Sequence, residues 1–359
     1  MTELMSSSSI ASYPFIYITI LNWNGWKDTI ECLESVFKLD YDYYRVVVCD
    51  NNSSDSSLEY IKAWADGRMD VYLSQDNPLR HHSFPPIVKP IKYMQYNRIE
   101  AESGGVIDDG NVPLVLIQTG ANLGFAGGNN VGLRYALNNG NFNYVWLLNN
   151  DTVVSQNALA ELVNTMTRYP DAGICGSLLI NYQQPELIQA AGAEFDYCLA
   201  RGKHHLLEGI PVTTPLIESD IIKKMNYVVG ASMLVRRTFL EKIGLLNEIY
   251  FLYFEEIDWA SRAKGLFSLA LAINSHVYHK EGASIGRPKS NNRSLYYSQL
   301  NRLRFSYLYN RKNVPLVLLH VLGHTCKAIV MGRFSLGFTS LRAACNFVRY
   351  VYATAENDD

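Results

Sequence analysis

The sequence predicts an α/β fold, a mostly parallel sheet flanked by helices, with a helical and basic C-terminal extension. Three observations carry that reading. Strand and helix signals alternate over the first 280 residues, and the apolar strands close on polar residues at their C-terminal ends. Eleven Lys and Arg, with no acidic residue, fill the stretch from Gly282 to Ala355. With 48% apolar and 18% charged residues over 359 positions, the chain can bury a substantial core. Its length suits about two units, drawn here at 1–286 and 287–359.

FIYITIL, Phe15 to Leu21, is a continuous apolar strand, after which Ile30, Leu33, Val36 and Phe37 recur at helical spacing. YRVVVCD, Tyr44 to Asp50, is a second buried strand closed by the turn-rich NNSSDSS, where Ser54 or Asp55 would cap the next helix. Between Asn77 and Pro113 no period is sustained, so 77–113 reads as an insertion, either a functional loop or a disordered segment. PLVLIQT, Pro113 to Thr119, restores the strand pattern and leads through the glycine-rich turn GANLGFAGGNN to the helix VGLRYALNNG. NYVWLLNND ends at Asp151 and precedes a helix through Ala158, Leu162 and Met166, while LFSLALAI is strand-like and precedes His276 and His279.

In open α/β sheets ligands lie outside the carboxyl ends of the strands, where helix N-termini offer free N–H groups to anions. Asp50, the turn at 120–128 and Asp151 all fall on that edge, where a nucleotide would sit. Each residue has a plainer reading as well. Asp50 is either a hydrogen-bond acceptor for a base or ribose, or an Asx-turn residue. Gly120, Gly124, Gly127 and Gly128 would let backbone approach a diphosphate, but their spacing is not G-x-G-x-x-G. Asp151, last of Asn149-Asn150-Asp151, is either a ligand for Mg²⁺ or Mn²⁺ or a helix cap. An imidazole at His279 would complete such a site with diphosphate oxygens.

FLYFEEIDW places Glu255, Glu256 and Asp258 directly after an aromatic run, at the start of a helix. Acidic residues in a first turn complement the helix dipole. Three carboxylates against aromatic rings also raise the pKa of at least one member, as a general base requires.

ILNWNGWKDTIECLESV, VVVCDNNSSDSS, NLGFAGGNNVGLRYAL, VWLLNNDTVV, VVGASMLVRR, FLYFEEIDWASRAKG and VYHKEGAS, in this order, resemble the family-2 inverting glycosyltransferases of the GT-A type, particularly their rhamnosyltransferase-like branch. The resemblance runs from about Ile16 to Gly286, interrupted at 77–113. It implies a Rossmann-like GT-A fold and transfer of a sugar, rhamnose being the commonest label, from a nucleoside diphosphate-sugar to a hydroxyl of a glycan or lipid-linked acceptor, with Mg²⁺ or Mn²⁺ as cofactor. By matching position it implies Asp50 on the nucleotide base with Asn22 and Asn24 nearby. Asn122, Gly124, Asn149 and Asn150 would line the nucleotide-sugar site, and Asp151 and His279 would hold the metal. Glu256 stands where the family has the Asp of a Glu-Asp pair and is the implied catalytic base. The Glu-Glu found here lengthens that base by one methylene and leaves Glu255 as the alternative. Asn247 in GLLNE is a second departure, at a position where relatives carry Asp. An oxidoreductase or nucleotidyltransferase on a similar sheet would show G-x-G-x-x-G after the first strand, where this chain has NWNGW. A catalytically silent nucleotide-sugar-binding scaffold is the further alternative, kept open by the Glu-Glu pair.

The net charge of −2 and pI of about 6.5 exclude a wholly basic nucleic-acid protein. They conceal an asymmetry, because residues 1–281 hold 21 basic and 31 acidic groups ahead of the basic tail. The 315–332 stretch is at the lower limit for a membrane span and contains His320, His324 and Lys327. Apolar faces interleaved with Arg and Lys suit an interfacial helix on an anionic membrane. Packing on its own domain, or on a partner subunit in a homo-oligomer, is the alternative. No nucleic-acid module accompanies the tail. The six cysteines lack any C-x-x-C pair and read as reduced core residues of a cytosolic protein. The N-terminal MTELMSSSSIASYP has no positive n-region and no long apolar stretch. The expected location is cytoplasmic, peripheral at the inner face of the cell membrane.

Overall fold

The computed structural model describes residues 13–106, 112–280 and 292–355. The boundary expected at 286/287 lies outside the described residues. The first half runs β1 (Ile16–Asn22), α1 (Trp26–Val36), β2 (Tyr44–Asp50), α2 (Ser57–Ala65), α3 (Arg80–Ser83), β3 (Tyr93–Asn97), α4 (Arg98–Glu102), β4 (Leu114–Gln118), α5 (Gly124–Asn139), β5 (Tyr144–Asn149), β6 (Thr152–Val154) and α6 (Ala158–Arg168). The second runs β7 (Ala172–Asn181), β8 (Ile188–Ala190), β9 (Ala193–Asp196), β10 (Arg201–His205), α7 (Glu218–Lys224), β11 (Ser232–Arg236), α8 (Arg237–Ile243), α9 (Glu255–Ala263), β12 (Ser268–His279), α10 (Asn292–Tyr309), α11 (Val314–Val330) and α12 (Phe334–Ala355).

Ten strands form one sheet in the order β3, β4, β2, β1, β5, β11, β7, β12, β6, with β8 paired to β7. The pairings from β3 to β5, and that of β7 with β12, are parallel; β11 is antiparallel to β5 and β7, and β6 to β12. The continuous apolar runs follow from burial on both faces. Ile16, Ile18 and Ile20 of β1 pack with Ile30, Leu33 and Trp64 on one side. Tyr17, one residue out of phase, packs with Val131, Leu133 and Tyr135 of α5 on the other. Buried hydroxyls cross the sheet as a satisfied chain: Trp146 Nε1 donates to Ser232 Oγ at 2.9 Å, and Ser177 Oγ lies 2.7 Å from Ser232 Oγ and 2.9 Å from Ser275 Oγ.

Four expectations need correction. The 77–113 segment is not simply a loop, because it supplies α3, α4 and the edge strand β3. Glu34, fully buried, anchors it by accepting bonds from Ile87 N and Lys89 Nζ, both at 2.8 Å, while also taking Trp64 Nε1. The turn expected at 120–128 is already helical from Gly124. Neither Ser54 nor Asp55 caps α2: Ser56 occupies that position in the left-handed region, and Asp55 Oδ1 accepts from Ser57 N at 3.0 Å. Cys32, Cys49 and Cys175 are buried as expected, but Cys198, Cys326 and Cys345 are exposed.

The tail is helical, and α10 packs on the body of the protein. Leu300, Leu303 and Phe305 share a core with Phe195, Tyr250, Phe254 and Ile257. Asn301 Nδ2 donates to Leu252 O at 2.9 Å. This is the packing alternative for its first helix. Helices α11 and α12 add Val317, Val321, Ala343 and Phe347 to the same core and expose their other faces.

Candidate active site

All seven strands that run in one direction end on a polar side chain: Asn22, Asp50, Asn97, Gln118, Asn149, Asn181 and His279. Register aligns four of them, with Asn22 opposite Asp50, Asp50 opposite Gln118, and Leu21 opposite Asn149. The edge is polar because chain leaving a buried strand must satisfy its backbone at the surface, and Asn, Asp and Gln do so with short side chains.

Asp50 is 1% exposed, and both its oxygens are occupied. Oδ1 accepts from Asn22 Nδ2 at 2.7 Å and Ser53 Oγ at 2.6 Å; Oδ2 accepts from Ser53 N at 3.1 Å and Gln118 Nε2 at 3.0 Å. Four bonds fill the acceptor capacity of a carboxylate, so in this structure Asp50 acts as the turn residue that fixes the edge. Asn22 Oδ1 takes Thr29 Oγ1 at 2.8 Å, and Asn150 Nδ2 donates to Thr29 Oγ1 at 3.0 Å, tying the first strand end to the fifth. Asn24 is exposed, and its Oδ1 receives Ser54 N at 2.7 Å. Asn122 and Gly124 are held by Asn51, whose Nδ2 donates to Asn122 Oδ1 at 3.2 Å and Gly124 O at 3.1 Å. Gly124 has φ +73°, and a Cβ there would lie 2.1 Å from Phe251 O. It is glycine because the loop before α9 packs directly on its backbone. A Cβ at Gly128 would meet Leu21 at 2.5 Å, and one at Gly132 would meet Thr19 at 2.5 Å. These two glycines bring α5 close to the sheet.

Antiparallel pairing of β6 with β12 sets His279 opposite Thr152, one residue beyond Asp151. His279 is therefore the last residue of its strand, not a residue after it. Its Nε2 lies 3.3 Å from Asp151 Oδ1, while Nδ1 lies 2.9 Å from Gln189 Oε1 on β8. Gln189 Oε1 can only accept, so Nδ1 carries a proton and Nε2 is the nitrogen that faces Asp151. Burial opposes ionisation of Asp151, but the His279 hydrogen bond and charge, with Lys280 behind them, hold its carboxyl below the ordinary range. An oxygen and an imidazole nitrogen at this separation fit two adjacent positions around one octahedral divalent cation, whose ligands at about 2.1 Å stand about 3 Å apart. No cluster of three or more His, Cys, Asp or Glu that could hold a metal occurs among the described residues. Any further ligands would come from substrate and water.

Helix α9 starts at Glu255 after Tyr253 and Phe254, both at positive φ. Glu255 is 2% exposed and its Oε1 has no hydrogen-bond partner. Burial, then the charges of Glu256 and Asp258, push its carboxyl well above the usual range. Glu256 is partly exposed, and burial raises it to about 7 against the opposing bond from its own backbone N–H. A Cβ at Gly230 would stand 3.9 Å from Glu256 Oε1, and the next residue, Ala231, accepts from Asn149 N at 3.0 Å. Glu256 thus borders the same strand ends as Asp151. Asp258 does not join them: fully buried, it pairs with Arg262 at 2.7 Å and accepts from Tyr309 of α10 at 2.6 Å.

Three contributors escaped sequence reasoning. Asn51 adjoins Asp50 and was within reach of the strand-end argument. Gln189 lies in a three-residue strand with no periodic signal. Lys280, which bonds Asp28 and Glu31 of α1 beside the Asp151 turn, is separated from them by about 250 positions.

Comparison with known proteins accords with this geometry. A mannosyltransferase from Pyrobaculum calidifontis, solved with GDP-Man and Mn²⁺, superposes with a TM-score of 0.51 at 11% identity, covering 94% of this chain and 88% of that one. GalNAc-T7, solved with UDP, GalNAc and Mn²⁺, gives 0.53 at 17% identity over 82% of this chain and 48% of that one. At these identities the likeness is one of fold, and that fold is the GT-A type. The low-salt glycan biosynthesis hexosyltransferase Agl10 of Haloferax volcanii is 29% identical over 148 residues, 41% of this chain and 45% of that protein, so the match spans less than half of the relative's length. The profile of glycosyl transferase family 2 matches residues 17–79 and 107–244, more than half of the sequence, and the chain belongs to that family.

Proposed function

We propose that this protein is a metal-dependent inverting glycosyltransferase that moves a hexose, with rhamnose first to be tested, from a nucleoside diphosphate-sugar to a hydroxyl of a glycan or lipid-linked acceptor. The observation that carries the reading is a juxtaposition at one sheet edge: a carboxylate and an imidazole converge to 3.3 Å, and the Glu256 carboxyl, pushed up by burial, borders the same strand ends. Glu256 takes the proton of the acceptor hydroxyl, which attacks the anomeric carbon opposite the departing diphosphate. A pKa near 7 suits that step, because the group is substantially ionised at neutral pH and still basic enough to accept the proton. Glu255, kept protonated by its apolar surroundings, leaves Glu256 as the ionised partner of the pair. Asp151 and His279 would hold Mg²⁺ or Mn²⁺, and such an ion neutralises charge on the leaving diphosphate. Gln189 fixes the His279 tautomer. Family membership and the hexosyltransferase relative support the class of reaction.

We also place the enzyme at the inner face of an anionic membrane. Support comes from the acid-free stretch 282–355 and from Arg311–Val330, 20 residues of mean hydropathy 1.4 and only 22% buried, which are long and apolar enough to cross a membrane by length and composition. Thermal-shift titration with a panel of nucleotide sugars, with and without Mn²⁺, tests the donor half. A shift that needs both metal and nucleotide and vanishes in Asp151→Ala is expected, and no response to any nucleotide would overturn the reading.

A further inference from the structure

Between the N-terminal turn of α10 and the middle of α12 lies a cleft of about 330 Å³, lined by Asn292, Arg293, Tyr296, Tyr297, Thr339 and Arg342. Its walls are built. Asn292 Nδ2 donates to Ser335 Oγ at 2.6 Å, Asn346 Nδ2 to Tyr296 Oη at 2.7 Å, and the Arg342 guanidinium lies 5.4 Å from the centre of the Tyr296 ring. One wall reaches the strand edge: Arg293 stands 5.2 Å over Trp23, the residue after β1, and 5.0 Å over Phe251. Phe251 in turn stacks on Tyr297 at 4.7 Å and accepts from Phe125 N at 2.8 Å.

The helix that supplies Thr339 and Arg342 also carries exposed apolar surface. Phe334, Phe338, Leu341, Val348 and Tyr352 of α12 are 57%, 63%, 39%, 42% and 70% exposed, one stripe at spacings of four, three, seven and four residues. Thr339 and Arg342 follow Phe338 and Leu341 directly. Such a stripe would suit a second copy of the helix. However, Arg342 and Arg349 flank it and no carboxylate occurs between Gly282 and Ala355, so two copies of α12 laid side by side would oppose like charges.

We infer that this cleft binds the phosphate or diphosphate headgroup of a lipid-linked acceptor, with Arg293 and Arg342 on the phosphate oxygens and the lipid chain along the exposed stripe of α12. Guanidinium groups match phosphate oxygens, and the aromatic rings leave a sugar beyond the phosphate a face to pack against on the way to Trp23 and Glu256. The word acceptor rests on the transferase reading; the binding site itself does not.

The test is calorimetric titration of the full chain with farnesyl diphosphate, inorganic diphosphate and farnesol, in EDTA so that no metal captures the diphosphate elsewhere. Farnesyl diphosphate should bind most tightly, and Arg342→Gln should weaken it about ten- to hundred-fold. Arg342→Lys should fall between the two. Binding of UDP or GDP with Mn²⁺, measured separately, should be unchanged in Arg342→Gln and certifies that the variant is folded. Equal affinity for farnesol would overturn phosphate recognition, equal affinity for inorganic diphosphate would overturn the lipid, and an Arg342→Gln variant that binds like the parent would overturn the site. Failure of the nucleotide arm in the parent protein would instead sink the donor assignment and leave the farnesyl result standing.

Discussion

Replacing Glu256 by Gln removes a carboxyl whose burial has a cost that can be worked out. Its pKa rises from an ordinary 4.5 to about 7 in the folded protein, a displacement worth about 3 kcal/mol. Because the folded group titrates above the unfolded one, the native state keeps a proton between pH 4.5 and 7 that the unfolded chain has released. Stability therefore falls as pH rises through that window and stays low above it. A neutral amide escapes this loss. At pH 8 the Gln variant should be more stable than its parent by up to about 3 kcal/mol, roughly 5 °C in Tm for a chain of this size, and the advantage should shrink toward zero as pH approaches 4.5. Transfer should meanwhile fall by about 10²- to 10⁴-fold. In the parent, kcat/KM should lose about tenfold per pH unit below 7. Differential scanning fluorimetry from pH 5 to 8, with nucleoside diphosphate release measured over the same range, checks both limbs. A Gln variant no more stable at pH 8 than its parent would refute the burial argument. One that retained transfer would refute the choice of base, and if Glu255→Gln stopped transfer instead, the pair's roles would be exchanged.

Asp151→Ala should abolish metal-dependent nucleotide binding, read by titration with and without Mn²⁺; unchanged affinity would remove Asp151 from the site. Gln189→Leu keeps the shape of the strand but frees the His279 tautomer, and should weaken Mn²⁺ affinity about 10- to 100-fold with little change in Tm. Gly124→Ala puts a Cβ 2.1 Å from Phe251 O at φ +73°, so a loss of about 2 to 4 kcal/mol is expected in chemical denaturation. A neutral result there would mean that the loop before α9 moves aside at little cost.

What the sequence carried well was local. Strand ends announce themselves where an apolar run stops, which is why Asp50 and the Asn149-Asn150-Asp151 triplet stand out in the sequence; Asn22 comes from the family resemblance, and all of them gather on one edge. Their division of labour was not legible. Asp50 has no acceptor capacity left once Asn22, Ser53 and Gln118 have bonded to it, and Gln118 sits 68 residues away. The glycines of α5 read as a phosphate-binding turn because their spacing is silent about what packs on them; Leu21 and Thr19 do. Three carboxylates in one helical turn looked like a cluster, yet Asp258 faces Arg262 and Tyr309, and Tyr309 lies 51 residues downstream.

The tail shows the same limit at larger scale. Charge and hydropathy are sums along the chain, and they marked 282–355 as one basic, apolar unit. Packing splits it. Helix α10 spends Leu300, Leu303 and Phe305 on the core beneath α9, and Asn301 holds the backbone of the loop that carries Tyr253. It therefore supports the turn from which Glu255 and Glu256 project. The outer faces of α11 and α12 have no such employment, with Leu319 at 67%, Val330 at 87% and Phe338 at 63% exposure. An apolar outer face on a helix whose inner face is already packed marks an interaction surface. The same extension thus supports the turn before α9 through α10 and leaves the outer face of α12 uncovered. Arg293, in the first turn of α10, ties the extension to the strand edge and to the loop before α9, because its guanidinium lies over both Trp23 and Phe251.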